Sequence, residues 1–95
     1  MVYTVYILYA ERSDKIYIGY TSDLILRMKS HNHFGKGWTA GFRPWVVIYS
    51  EYYESKAEAL HRERQLKSAA ARQRVRELIN TEYKRNGYIS GVEAG

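Results

Sequence analysis

Two short runs of β-branched and aromatic residues near the N-terminus constrain the fold of this chain more than any other feature. The runs span residues 2–9 and 16–20, and only the polar stretch 10–15 separates them. Two such runs joined by a short polar segment are typical of an antiparallel hairpin. We therefore predict two paired strands, with the turn at Ser13 and Asp14.

The remaining elements follow from caps and periodicity. Residues 21–23 (Thr-Ser-Asp) offer N-cap side chains for a helix that we expect to end near His31 or Asn32. Residues 33–44 are rich in glycine and end in the only proline, which predicts a loop. That loop lacks the residue spacing of a nucleotide-binding P-loop. Residues 45–53 predict a third strand.

Two further helices are expected in the second half. Ser55 and Glu58 have the spacing of a capping box, and this helix should end near residue 67 or 68. Residues 69–84 predict a third helix with Val75, Leu78 and Ile79 on one side. We therefore predict an α+β fold, a three-stranded antiparallel sheet flanked by helices in the order β-β-α-β-α-α. Residues 1–85 should form one domain, and residues 86–95 a flexible tail.

Charge and composition narrow the functional classes. The net charge of +5 is concentrated in residues 62–85, which hold eight lysines and arginines against three glutamates. Such a segment suits a polyanion such as nucleic acid, although a solvated helix face has the same composition. The chain has no cysteine, which excludes disulfides, zinc–thiolate sites and a cysteine nucleophile. We find no signal-peptide pattern and no apolar run of about 18 residues, and we expect a cytoplasmic protein without a membrane span.

Alternation along the hairpin groups its tyrosines. Tyr6 and Tyr17 are expected on one face, opposite the aliphatic face that contains Val5 and Ile7. Gly19 would keep a polar hollow open beside them, because a glycine within a strand often marks a close approach. Two ordinary half-buried tyrosines would explain the same pattern.

The first helix adds two polar side chains to this region. Arg27 and His31 are four residues apart, on the same helical stripe as Leu24 and Met28. A guanidinium matches phosphate oxygens, and an imidazole can move a proton near neutral pH. An arginine at the stripe edge and a histidine near the helix C-terminus would account for both residues equally well.

Glu63 lies on the apolar face of the second helix, between Ala59 and Leu66. A carboxylate that points towards a core needs a cation. The cation could be Arg27, or a hard divalent ion such as Mg²⁺, which often takes one or two protein carboxylates and keeps its waters. Glu58, Arg62 and Arg64 are expected at the surface.

Taken in order, these residues resemble the GIY-YIG nuclease superfamily, in particular its small single-domain bacterial members. The name motif is present as Thr4-Val5-Tyr6 and Tyr17-Ile18-Gly19, with threonine in place of the first glycine. Arg27, then residues 31–32, and then residues 58–67 around Glu63 continue the pattern. The resemblance covers roughly residues 2–80.

The resemblance implies a metal-dependent endonuclease that hydrolyses phosphodiester bonds. It implies one divalent metal held by Glu63, Mg²⁺ with Mn²⁺ as an alternative. It also implies that Tyr17 acts as general base, that Tyr6 assists by hydrogen bonding and that Arg27 holds the scissile phosphate. His31 joins the candidate catalytic residues as a position that is often polar in the family. DNA is the expected substrate, in repair or recombination.

Two other interpretations stay open at the sequence level. The chain could be a nucleic-acid-binding module that is not catalytic or that a protein partner activates. It could also be a protein-interaction or structural domain in which Glu63 and Arg27 form an internal ion pair. The sequence leaves the oligomeric state open.

Overall fold

The computed structural model describes the backbone of residues 1–84 and the side chains of residues 1–81. The described residues fall into two compact units, which divide after residue 64. The regular elements are β1 (Tyr3–Ala10), β2 (Lys15–Thr21), α1 (Leu24–Lys29), a π-helical turn (Ser30–Phe34), a 3₁₀ turn (Trp38–Phe42), β3 (Val46–Tyr53), α2 (Lys56–Leu66), α3 (Ala69–Leu78) and a second π-helical segment (Ile79–Lys84).

The sheet has three antiparallel strands in the order β2-β1-β3. The predicted fold class and element order are thus confirmed, and each predicted strand boundary agrees with the structure to within one residue. The hairpin turn is stabilised by Asp14, which adopts a positive φ of 55° and accepts a hydrogen bond of 2.6 Å from the Tyr9 hydroxyl. Aspartate tolerates this left-handed conformation better than most residues.

The central strand β1 is covered on both sides. Every residue from Thr4 to Ala10 is buried, including the side chains that point to opposite faces of the sheet. On one face, Tyr6, Leu8 and Ala10 pack with Trp45, which is 2% exposed. Leu24 and Met28 of α1 pack against this cluster, so the first helix lies on the face that carries Tyr6.

Helix α1 begins as predicted. The carboxylate of Asp23 accepts a hydrogen bond of 3.0 Å from the Leu26 amide and caps the helix. The α-helix ends at Lys29, and a π-helical turn continues the chain to Phe34. The predicted loop at 33–44 contains an additional 3₁₀ turn, which was not predicted because the segment is rich in glycine.

Side-chain hydrogen bonds to the backbone hold the segment between α1 and β3. The guanidinium of Arg43 donates to the carbonyls of Ser30, His31 and Gly35 at 3.0, 2.6 and 2.5 Å. The amide side chain of Asn32 both accepts from the Trp45 amide and donates to the Trp45 carbonyl. Glycine content therefore predicted a loop, whereas these bonds produce a fixed structure.

Helix α2 begins with the predicted capping box, in which the Ser55 hydroxyl accepts from the Glu58 amide at 3.1 Å and donates to its carboxylate. Arg62, which we expected at the surface, is partly exposed but pairs with the sheet. Its guanidinium makes two hydrogen bonds to Glu51 of β3, at 2.8 and 3.0 Å, and its side chain is 35% exposed. A bidentate pair of this kind joins α2 to the sheet.

The predicted tail, residues 86–95, lies outside the described residues, and the domain boundary at residue 85 stays a prediction.

Within α3 and its extension, Val75 and Ile79 are buried, in agreement with the predicted apolar side. Among the described residues, no helix is long and apolar enough to cross a membrane.

We predict that the Glu51–Arg62 pair makes folding sensitive to acid. Hydrogen bonds from Arg62 and from the hydroxyls of Tyr49 and Tyr53 lower the pKa of Glu51 to about 2, against the opposing effect of burial. Because the folded-state pKa is below the ordinary 4.5, the stabilisation is complete above about pH 4.5 and declines as the pH falls towards 2.

Glu51→Gln should therefore lower the free energy of unfolding at pH 7 by roughly 1–2 kcal/mol, a value discounted because Arg62 is partly exposed. The difference from wild type should shrink as the pH approaches 2. Chemical denaturation at several pH values measures both effects. Glu54→Gln, at an exposed position three residues away, is the matched control. An equal effect of the two variants at pH 7 would contradict the prediction.

Candidate active site

The candidate site is centred on Tyr6, a residue of β1, the central strand of the sheet. In the β1–β2 register, Tyr6 lies opposite Gly19 and Leu8 lies opposite Tyr17. Tyr6 and Tyr17 therefore share one face, as predicted, and their ring centroids are 6.3 Å apart. Tyr6 is fully buried, whereas Tyr17 is half-buried.

Gly19 makes room for these two rings. A β-carbon at this position would lie 2.8 Å from the Tyr6 hydroxyl oxygen and 3.0 Å from the nearest ring carbons of Tyr6 and Tyr17. The close approach was predicted, but the space holds the two phenol rings and not the open polar hollow that we expected. Only glycine lets the rings lie this close to the backbone of β2.

His31 connects the π-helical turn after α1 to Tyr6. Its Nε2 atom is 3.1 Å from the Tyr6 hydroxyl, and its Nδ1 atom is 3.0 Å from the Thr39 hydroxyl. The side chain is buried, and its ring also contacts Tyr17 at a centroid distance of 4.9 Å. Burial, and then the positive charges of Arg27 and Arg43, lower the pKa of His31 below its ordinary 6.5. The imidazole is therefore neutral at physiological pH, with one donor and one acceptor nitrogen.

The charges of Arg27 on α1 and Glu63 on α2 shift the pKa of Tyr6 in opposite directions. Burial and the proximity of Tyr17 raise the pKa of Tyr6 above its ordinary 10.0, and the negative charge of Glu63 adds to this effect. The positive charge of Arg27 opposes it and lowers the pKa of Tyr6. Tyr6 is therefore a protonated phenol over the physiological pH range.

Glu63 occupies the predicted stripe of α2. Ala59 and Leu66 on this stripe are buried, and Glu63 between them is half-buried. The carboxylate lies close enough to Tyr6 for its charge to act on the phenol. The guanidinium side chain of Arg27, in contrast, is exposed on α1.

All five predicted site residues thus belong to the unit of residues 1–64, and the four others each act on the Tyr6 side chain. Sequence reasoning missed Thr39, whose hydroxyl is the second partner of His31. Thr39 lies in a glycine-rich stretch without periodicity, so no local signal pointed to it.

The potential metal ligands of this region are sparse. In the part of the chain that the structure describes, no group of three or more His, Asp, Glu or Cys side chains could hold a metal ion. Glu63 is the carboxylate whose charge raises the pKa of Tyr6. A single carboxylate fits a hard divalent ion that keeps most of its waters.

Comparison with known proteins identifies relatives over most of the chain. The model of the GIY-YIG catalytic domain family matches residues 2–77. A UPF0213 protein from Staphylococcus haemolyticus is 36% identical over 67 residues, 68% of this chain and 80% of the relative. A UPF0213 protein from Clostridium perfringens is 33% identical over 78 residues, 81% of this chain and 84% of the relative.

A solved structure supports the same grouping. The solution NMR structure of the UPF0213 protein BH0048 from Bacillus halodurans superimposes with a TM-score of 0.53 at 26% sequence identity. The match covers 90% of this chain and 94% of that protein. The names of these relatives state no activity, so the functional conclusion rests on the family and on the site.

Gly19→Ala should destabilise the protein, because the added methyl group overlaps the two phenol rings. Overpacking of a well-filled region typically costs about 1–3 kcal/mol. Gly41→Ala is the matched control, since a β-carbon there has no heavy atom within 4 Å. Thermal or chemical unfolding measures both. Equal stability of the two variants would show that the tyrosine rings can move aside freely.

His31 should make stability fall below about pH 6.5. The unfolded histidine binds a proton near its ordinary pKa of 6.5, whereas the folded one binds it only at lower pH. Acid therefore favours the unfolded state across this interval. Histidine NMR titration and pH-dependent melting test the direction of the shift. His31→Gln should remove this part of the pH dependence, whereas His61→Gln, at an exposed position, should retain it.

Proposed function

The chain belongs to the GIY-YIG catalytic domain family, and on this premise we propose that it is a metal-dependent endonuclease that hydrolyses phosphodiester bonds of DNA. The observation that carries the proposal is the convergence of Tyr17, Arg27, His31 and Glu63 on the buried Tyr6 side chain. These residues come from β1, β2, α1, the π-helical turn that follows α1, and α2. A tyrosine, an arginine and an acid can take part in one phosphodiester hydrolysis only when they lie close together.

The two tyrosines have different environments and take different roles. Tyr6 is buried and protonated, so its hydroxyl serves as a hydrogen-bond donor and not as a base. Tyr17 is half-buried and can reach a solvent molecule. We assign Tyr17 as the general base that assists the attack of water on the phosphate. His31 positions Tyr6 through the bond at 3.1 Å.

Arg27 is suited to the phosphate. Its guanidinium is exposed, so a substrate can reach it, and it lies beside the Tyr6 hydroxyl. A guanidinium matches two phosphate oxygens at once and offsets the charge that builds up in the transition state. Arg27 and Tyr6 together would fix the scissile phosphate next to Tyr17.

Glu63 is the residue that would hold the metal. It is half-buried among apolar neighbours on α2, and a single carboxylate suits a hydrated Mg²⁺ or Mn²⁺ ion. When bound, such an ion neutralises phosphate charge and lowers the pKa of coordinated water. Glu63 would contribute by fixing the position of this charge on the tyrosine side of the helix.

The charge of the chain supports a nucleic-acid substrate. The net charge of +5 gives affinity for a polyanion through counterion release, without requiring sequence readout. DNA repair or recombination is the process that we propose, and the absence of cysteine is compatible with the cytoplasm. A protein partner could extend the DNA contacts of such a small catalytic domain.

We predict that Glu63→Ala and Arg27→Ala each reduce Mg²⁺-dependent cleavage by roughly 10²-fold or more, because each removes charge stabilisation from the reaction. Tyr17→Phe should have an effect of at least about 10²-fold, since it removes the base. Labelled single-stranded, duplex, flap and branched DNA, with matching RNA, are incubated with Mg²⁺, Mn²⁺ or EDTA. The wild-type protein should cleave its substrate in the presence of Mg²⁺ or Mn²⁺ and not in the presence of EDTA.

Matched controls come from other positions of the chain. Glu54→Ala, Arg12→Ala and Tyr20→Phe change the same residue types outside the candidate site, and they should retain cleavage. Melting temperatures separate catalysis from folding. If Glu63 and Arg27 served only as an internal ion pair, their single variants would lose stability and the double variant would lose little more. Tight DNA binding without cleavage under every condition would favour the non-catalytic module.

A further inference from the structure

An exposed tryptophan lies next to the candidate site, and the proposed reaction leaves it without a role. Trp38 begins the 3₁₀ turn and is 54% exposed, whereas Trp45 is 2% exposed. A large aromatic ring that stays in solvent is informative only when it belongs to a larger arrangement. Here, it is the outer member of a row of rings that leads to Tyr17.

This aromatic row consists of Tyr6, Tyr17, Trp45, Trp38 and Phe42. The centroid distances are 6.3 Å from Tyr6 to Tyr17, 6.3 Å from Tyr17 to Trp45 and 5.9 Å from Trp45 to Trp38. Phe42 lies 4.8 Å from Trp38 and supports it from the side. A single ring, that of Trp45, thus separates the exposed Trp38 from the proposed base.

The backbone connects Trp38 to the site as well. Thr39, the next residue, has its hydroxyl 3.0 Å from Nδ1 of His31 and accepts the Trp45 indole hydrogen at its carbonyl, at 2.8 Å. Arg43 and Asn32 hold the rest of this segment by hydrogen bonds to the backbone. The position of the Trp38 ring is therefore organised before any ligand arrives, which lowers the entropic cost of binding.

The segment that contains Trp38 is cationic, which favours an anionic ligand. Residues 24–50 contain four lysines and arginines (Arg27, Lys29, Lys36 and Arg43) and no aspartate or glutamate. The ammonium group of Lys15 lies 5.6 Å from the centre of the Phe42 ring. An exposed aromatic ring within a cationic stretch is the combination that binds nucleic-acid strands, because bases stack while cations contact the phosphates.

We propose that Trp38 is a base-stacking residue that receives an unpaired nucleobase of the bound DNA strand, next to the phosphate held at the Tyr6 site. This inference rests on the proposed function and extends it to the structure of the substrate. The bases of an intact duplex are stacked on one another, so none of them has a face free to stack on Trp38. A strand that enters the site must therefore be single-stranded, frayed or flipped at this position. Trp38 is a binding residue and takes no part in the chemical step.

Binding in EDTA tests this proposal separately from catalysis. Fluorescently labelled single-stranded DNA is titrated with wild type, Trp38→Phe and Trp38→Ala. Stacking of one base contributes a factor of roughly 5 to 150 in affinity. Trp38→Ala should lose a factor in this range, whereas Trp38→Phe should retain most of the affinity. The slope of log affinity against log salt should be unchanged, because no phosphate contact is removed.

Abasic substitution identifies the stacked base. A series of oligonucleotides, each with one abasic position, is bound to wild type and to Trp38→Ala. One position should weaken binding to wild type and have little further effect on the variant, so that the two changes are coupled. Base stacking should also quench the fluorescence of wild type and leave that of Trp38→Phe, which retains only the buried Trp45, nearly unchanged.

Several outcomes would overturn the proposal. They are equal affinities of Trp38→Ala and wild type, additive effects at every abasic position, or no binding of the oligonucleotides to wild type. A loss of affinity that Trp38→Ala and Trp38→Phe share equally would also contradict it. Melting temperatures of both variants confirm that the binding data refer to folded protein. Cleavage without coupling would reject stacking alone, and coupling without cleavage would reject the nuclease function alone.

Discussion

The burial of one phenol at the centre of the sheet is the constraint on which the rest of the site depends. Tyr6 lies on the middle strand with no exposed surface, and a buried hydroxyl without a partner costs about 1–3 kcal/mol. Its hydrogen-bond partner is His31 of the π-helical turn that follows α1, and the charge of Arg27 on α1 lies near the phenol. His31 in turn requires Thr39, so the hydrogen bonds of one hydroxyl order the segment that follows the helix.

The same burial separates the chemistry of two otherwise similar tyrosines. Tyr6 and Tyr17 share a face of the sheet, with ring centroids 6.3 Å apart, but only Tyr17 retains access to solvent. Burial raises the pKa of Tyr6 and keeps it a hydrogen-bond donor. One fold thus provides a fixed donor and an accessible phenol next to each other, which is the division of roles that an acid–base reaction needs.

Helix α2 contributes to structure and to the site through neighbouring residues. Arg62 points to Glu51 of β3, and Glu63, about 100° further round the helix, acts on Tyr6. The ion pair with Glu51 therefore fixes the rotation of the helix that carries the proposed metal ligand. Function and folding are coupled at this point, because a helix free to rotate would lose the relation between Glu63 and the tyrosines.

The sequence by itself determined the hairpin, the three strands, the caps of the first two helices and the face that Tyr6 shares with Tyr17. These features depend on local periodicity and on side chains that bond within three residues, so neighbouring letters suffice to predict them. Only the tertiary structure decided which side chains fill the space at Gly19, the order of the segment from Ser30 to Trp45, the pairing of Arg62 with Glu51 and the contact of Thr39 with His31. Each of these joins residues that are 8 to 13 positions apart or that lie on different strands. No local pattern encodes such contacts, because a glycine-rich segment or a charged helix face has many possible partners until packing of the core selects one.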